Sequence, residues 1–218
     1  MAYILLYIAL TWLALMPARF RAMAKGYRKT SLALKALPTA LAAAFAAAGC
    51  FAAGGDDLYG LMIFIGLCIC TLADIALDVR FEVGGALFFT GHAVYVAALS
   101  QYRVLSWWCL TVFVIALAGL WCFALRYRRH FPRAHLLAGA LVYVVALAAL
   151  LAFSLPLPLL APSARSTLAA LGAVTFVASD MTLCHNLLLK RPVPYHFVSL
   201  GIYYMAQLLL ALSAFPTA

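Results

Sequence analysis

Residues 70 to 95, CTLADIALDVRFEVGGALFFTGHAVY, decide how the rest of the chain is read. Asp74 stands inside a helix-length run that is otherwise uncharged, Asp78 follows one helical turn later, and His92 lies in the middle of the next apolar run. A carboxylate at the centre of a bilayer helix costs about 2.5 to 3.5 kcal/mol on insertion scales, so such a residue turns inward toward partners, water or a bound molecule. A second acid of this kind, Asp180, stands in VASDMTLCHNLLL, residues 177 to 189.

Working outward, the composition leaves one class. Of 218 residues, 68% are apolar and 10% are charged, and the mean hydropathy is +1.07. A soluble domain of this length needs far more polar cover. Apolar runs long enough to span a bilayer fall at about 3–17, 31–51, 58–77, 84–100, 104–125, 134–153, 165–189 and 197–215. The expected fold class is therefore all-α: a bundle of eight transmembrane helices forming one transmembrane domain over residues 1–218, with no separate soluble domain.

No Lys or Arg precedes the first run and no small-residue cleavage pattern ends it, so it reads as a span rather than a signal peptide. The basic cluster Arg19, Arg21, Lys25, Arg28 and Lys29 follows it instead, which places both termini outside. Odd-numbered loops then face the cytoplasm. They carry five (Arg19 to Lys29), one (Arg80), four (Arg126, Arg128, Arg129, Arg133) and two (Lys190, Arg191) of the 15 basic residues, whereas the second loop carries Asp56 and Asp57. The net charge of +9 is explained by the positive-inside rule, with attraction to anionic inner-leaflet lipid. Nucleic acid is excluded as a partner, because no basic, aromatic-interleaved soluble surface exists to carry it. The Ala-rich, compact chain reads as a multi-pass protein of a bacterial inner membrane. Trp107, Trp108, Tyr27, Tyr127 and Tyr195 sit where interfacial aromatics belong.

The six cysteines lie in or beside apolar runs with no CxxC spacing, and read as small buried hydrophobes. A weak internal echo lays ADIALDVR (73–80) on SDMTLCHN (179–186), with GHAVYVA at 91 and GIYYMAQ at 201 opening the following runs. Four helices separate the copies, so a four-plus-four repeat would share orientation about an axis along the membrane normal and bring Asp74 and Asp180 toward each other.

By depth, Asp74, Asp78, Asp180 and Lys35 all fall in the cytoplasmic half. His92 and Tyr95 share a helix face near mid-membrane, Tyr203 and Gln207 are four residues apart, and Asn186 lies further toward the cytoplasm. The convergence predicts a polar cavity, open inward, within an apolar shell. Two carboxyl groups in such a cavity do not both ionise cheaply, so one serves as acid while a partner such as Lys35 holds the other charged. An ion pair of Lys35 with Asp78, a purely structural His92, and interhelical hydrogen bonding by Tyr203 and Gln207 are the alternatives. No metal or cofactor is expected. Asp180 and His185 are about 140° apart round their helix, and the four possible ligands Asp74, His92, Asp180 and His185 match no compact metal site. A Ser-His-Asp arrangement finds no support either, since Ser179 points away from its neighbour.

At these residues the chain resembles the YhhN-like family of membrane proteins, to which lysoplasmalogenases belong. The resemblance rests on Lys35 with Pro38, on LADIALDVRFEVGGALFFTGHAVY (72–95), and on FVASDMTLCHNLLL (176–189) followed by YHFVSLGIYYMAQLLLALS (195–213). Ala73 stands where the family usually has Gly before the first Asp. The resemblance implies hydrolysis of the vinyl ether bond of a lysoplasmalogen, or a related lysolipid, to a fatty aldehyde and a glycerophospho-base. Asp74 and Asp180 would be its catalytic pair, with Asp180, deeper in apolar surroundings, the expected acid, and carboxyl groups within about 10 Å of each other. Lys35 would be the phosphate contact, and Asp78, His92, Tyr95, Asn186, Tyr203 and Gln207 would line the pocket for a lysophospholipid entering from the bilayer. The rival reading is a proton-coupled transporter or lipid carrier using the same acids. A lipid ester or amide hydrolase would need a nucleophile or metal that the sequence does not offer. Oligomeric state is not legible.

Overall fold

The computed structural model describes residues 2–52 and 57–215, so Asp56 lies outside the described residues. Eight helices are long and apolar enough to cross a membrane: α1 (Ala2–Ala24), α2 (Arg28–Ala52), α3 (Leu58–Val79), α4 (Phe81–Ser100), α5 (Trp107–Arg126), α6 (Ala134–Leu160), α7 (Ala164–Leu188) and α8 (Val193–Ser213). No strand occurs among the described residues.

The departures from the expected bounds have local causes. α1 runs on past Pro17 and through Arg19 and Arg21, ending just ahead of Gly26 at φ +75°. It passes Pro17 because Leu10–Leu15 is a π-helical turn, with the Met16 N–H donating to Thr11 O. A proline ring collides with the carbonyl four residues back in an α-helix, and the wider π turn relieves this. Between α3 and α4 the expected loop shrinks to the single extended residue Arg80. Gly84 permits the tight return, since a Cβ there would collide with the Leu77 backbone. α8 starts four residues early, with Pro194 in its first turn, where the missing N–H costs nothing. Ser163 and Ser166 form a reciprocal capping box at the start of α7. Within α2, Pro38 loosens a turn, and the Tyr204 hydroxyl of α8 donates to Lys35 O at 2.7 Å beside the gap.

The helices pack as a ring of six, α2, α3, α4, α6, α7, α8 and back to α2. α1 lies outside against α2, and α5 lies outside against α6. The first four helices thus pack in the same scheme as the last four, each half an outer helix on a three-helix run, with α3 matching α7. The matching adjacency concerns helix packing alone, since Asp74 and Asp180 have separate hydrogen-bond partners. Side chains facing outward are apolar, among them Leu13, Ile115, Val142 and Leu171. Polar groups are buried inside, including Thr39, Asp74, His92, Ser179, Asn186 and Gln207, the distribution demanded of a chain whose solvent is lipid.

One end of the bundle carries the basic connections. The opposite end is fastened by Arg165 at the start of α7, which grips Asp57 in two hydrogen bonds of 3.2 and 2.6 Å and also donates to Ala214 O and Phe215 O at 3.3 Å each. Tyr59 lies under the guanidinium at 4.9 Å and bonds to Ser213 at 2.8 Å. Trp107 and Trp108 project freely at this end, as interfacial aromatics do.

Candidate functional site

Asp74 enters the middle of the ring from α3 and is 1% exposed. Thr39 of α2 donates to its Oδ2 at 2.6 Å and Tyr203 of α8 donates to the same oxygen at 3.0 Å. Behind Tyr203, Gln207 Nε2 donates to the phenol oxygen at 2.8 Å, and Tyr95 of α4 donates to Gln207 Oε1 at 3.1 Å. Three helices therefore converge on one carboxyl group through a chain of hydroxyls and one amide. Gly66 makes room for it: a Cβ there would collide with the Tyr95 ring.

One turn toward the basic end, Asp78 is held by two cations. Lys35 Nζ lies 2.6 Å from its Oδ1 and Arg19 Nη2 lies 3.1 Å from its Oδ2. Lys35 forms its ion pair with Asp78, whereas the carboxyl of Asp74 is bonded by hydroxyls. The ion pair of Lys35 with Asp78 weighed from the sequence is therefore the one formed, and Lys35 does not hold Asp74 or Asp180 directly. The reason is geometric: Asp78 is the acid on the turn of α3 that faces the first turns of α2.

Asp180 belongs to the other half of the bundle. It is partly buried, and Tyr143 of α6 donates to its Oδ2 at 2.6 Å. The two acids share no hydrogen-bond partner among the described residues. A row of rings runs from one cluster to the other instead. Tyr203 meets Phe176 edge-on at 5.5 Å, Phe176 meets His92 at 4.5 Å, and His92 meets Tyr143 at 5.5 Å. His92 is fully buried. Its Nδ1 lies 2.5 Å from Phe88 O, which makes Nδ1 the protonated nitrogen and leaves Nε2 as a buried acceptor with no partner among the described residues. Its ring also meets Tyr95 edge-on at 6.3 Å, so the face-sharing of these two residues holds.

The remaining expected residues divide. Tyr203 and Gln207 bond to each other as their spacing predicts. Asn186 is buried, but its Nδ2 donates to Tyr195 O at 2.9 Å, fastening the α7–α8 connection rather than joining the acids. His185 faces Tyr127, whose hydroxyl lies 3.0 Å from Nδ1, and so ties the ends of α5 and α7 together. Tyr127 is thus more than an interfacial anchor. Ser179 donates to Ser199 O at 3.1 Å and stands apart from Asp180. Among the described residues no three His, Cys, Asp or Glu side chains are grouped so as to hold a metal ion.

Three members of the site are not legible as such in the sequence. Thr39 lies one turn beyond Lys35 on the same helix face, a spacing that carries the signal. Tyr143 is a tyrosine at the centre of an apolar run rather than at its edge, and that position is the available clue. Arg19 is hidden among the basic residues that set topology, and nothing in the sequence separates it from Arg21.

Chemically, the arrangement offers two carboxyl groups, each on a phenol hydroxyl, a histidine acceptor between them, and a buried cationic pair one turn toward the basic end. A family model described as the YhhN family matches residues 30–214. No curated protein and no solved structure matches the chain.

Proposed function

The chain belongs to the YhhN family, and from that premise we propose that it is a membrane-embedded hydrolase opening the vinyl ether bond of a lysoplasmalogen or a closely related lysolipid. The observation that carries this reading is that Asp74 and Asp180, both within an apolar bundle, each accept a hydrogen bond from a tyrosine hydroxyl. Vinyl ether hydrolysis needs a proton donor and a second carboxyl that handles water, and it needs no covalent nucleophile.

In the first step Asp180 delivers a proton to the outer vinyl carbon, the C=C bond becomes a C–H bond, and the inner carbon becomes an oxocarbenium ion conjugated with the ether oxygen. Asp74 accepts a proton from water as the water oxygen bonds to that carbon, giving a hemiacetal, and its negative charge stabilises the cation that precedes capture. The hemiacetal then breaks its C–O bond to the glycerol oxygen, which takes up a proton as the hydroxyl loses one. The products are a fatty aldehyde and a glycerophospho-alcohol, and the net reaction consumes one water. Asp180 takes the donor role because it makes one hydrogen bond to a phenol, whereas Asp74 accepts two on a single oxygen and keeps its other oxygen for water. The ring row of Phe176 and His92 supplies the apolar wall for the alkenyl chain, and Nε2 of His92 can accept a hydrogen bond from the attacking water or the hemiacetal hydroxyl.

The test is aldehyde release from a lysoplasmalogen by the purified protein in detergent, with Asp74→Asn and Asp180→Asn beside it. Turnover that both substitutions abolish supports the pair. No aldehyde from folded protein moves the assignment to proton-coupled transport or lipid carriage, which would use the same acids without making product.

A further inference from the structure

The end of α1 and the first turns of α2 bring more hydrogen-bond donors to Asp78 than that carboxylate uses. Arg19 and Lys35 are buried, with side chains 10% and 7% exposed, and both close on the one carboxylate of Asp78, itself 33% exposed. A guanidinium has five N–H donors and an ammonium three. Among the described residues Arg19 spends one on Asp78, and its buried Nε has no partner. Lys35 spends one on the same carboxylate. Asp74, the next acid along α3, takes its hydrogen bonds from hydroxyls and pairs with neither cation. The buried donors left over, Arg19 Nε first among them, are costly unless an acceptor joins them.

The local backbone points the same way. Arg19 lies four residues beyond the π-helical turn of α1, and a π turn re-aims the side chains beyond it, commonly at functional sites. Arg21, two residues on, is exposed, while Arg19 is turned inward. Arg19 also lies ahead of the segment that matches the family model.

We propose that Arg19 and Lys35 form an anion site for the phosphodiester of a lysophospholipid, with Asp78 holding the two cations in register. A phosphodiester has two free oxygens that accept hydrogen bonds, which suits the unspent donors of a guanidinium fork and an ammonium. Asp78 and Asp74 are four residues apart on one face of α3, about 6 Å along the axis. A phosphate held by these cations therefore sets the glycerol oxygen toward Asp74 and lays the chain along the ring row. The inference rests on the hydrolase reading for the subsequent cleavage, and on the geometry of Arg19, Lys35 and Asp78 alone for binding.

The experiment uses ligands without a vinyl ether, so that it stands apart from cleavage. Binding to the full chain in a nonionic, phosphate-free detergent is measured for an acyl lysophosphatidylcholine and for the monoacylglycerol with the same chain, with inorganic phosphate as competitor. The wild type is expected to bind the lysophosphatidylcholine at least 10-fold more tightly than the monoacylglycerol, and Arg19→Gln to lose most of that preference while binding the monoacylglycerol as before. Equal affinity of the wild type for the two lipids overturns the proposal without any variant, as does an unchanged preference in Arg19→Gln. Displacement by inorganic phosphate at lysolipid concentrations overturns the lipid assignment. A wild type that discriminates here but releases no aldehyde leaves the anion site standing and removes the hydrolase reading.

Discussion

The hydroxyls around the two acids do separable work. On the proposed chemistry, Asp74→Asn and Asp180→Asn should each lower aldehyde release by about 100-fold or more, the scale of positioned acid–base catalysis. Tyr143→Phe removes the hydrogen bond to Asp180, and Tyr203→Phe removes the one to Asp74 together with the one accepted from Gln207; each should lower the rate by about 10-fold or more, roughly the worth of one bond to a charged partner. Elution from a sizing column should not change. Rates unaffected by both phenylalanine substitutions would detach the tyrosines from the reaction. At this scale the sequence is most informative where a residue type is costly in lipid: Asp74, Asp180, Lys35 and His92 stand out in apolar runs for that reason. It is silent on pairing. Whether Lys35 reaches Asp74 or Asp78 depends on one turn of α3 against α2, and spacing within each helix does not contain that relation. Tyr143 and Arg19 do not stand out because tyrosine is ordinary at a membrane interface and arginine is ordinary in a cytoplasmic loop.

Individual helices show how small backbone features set the site. Gly66→Val places a branched side chain where the Tyr95 ring packs, which should part α3 from α4 and lower the melting temperature by several degrees, readable from thermal unfolding in detergent. Inserting one alanine after Ala9, ahead of the π-helical turn of α1, adds about 100° of rotation between Tyr7 and Arg19. Tyr7, whose hydroxyl donates to Pro38 O at 3.1 Å, and Arg19 cannot then both face α2. The insertion should cost either thermal stability or the preference for a phosphodiester lipid, and a variant that keeps both would show that the facing of Arg19 does not set that preference. Helix number and register follow from hydropathy, since the bilayer fixes span length. Helix ends depart from it where proline and glycine act through three-dimensional neighbours, as at Pro17 and Gly84.

At the scale of the whole molecule, the six-membered ring with two outer helices repeats one packing scheme in its two halves, of which the sequence carries only a faint echo. The halves share packing but not chemistry: Thr39 and Lys35 serve the first, Tyr143 serves the second, and that asymmetry is why the echo is weak. Sidedness is testable with single cysteines at positions 129 and 106 on a cysteine-free background. A membrane-impermeant thiol reagent should label position 129 only from the cytoplasm and position 106 only from the opposite face, as the basic loops require. Arg165→Gln should lower stability by about 2 to 3 kcal/mol, since it removes charged hydrogen bonds to Asp57 and to the last turn of α8.

The Arg165 clamp has a further consequence for traffic. On the proposed hydrolysis, a bundle latched at one end by Arg165 and carrying Arg19 and Lys35 toward the other favours the cationic end as the way out for anything that carries charge. A water-soluble fragment bearing phosphate must leave by the way its headgroup came in, while a fatty fragment can slip sideways between helices into the lipid. In sealed vesicles of uniform orientation, the two pieces of one molecule would therefore part company, the polar one collecting in the compartment that the basic loops face and the oily one remaining in the membrane.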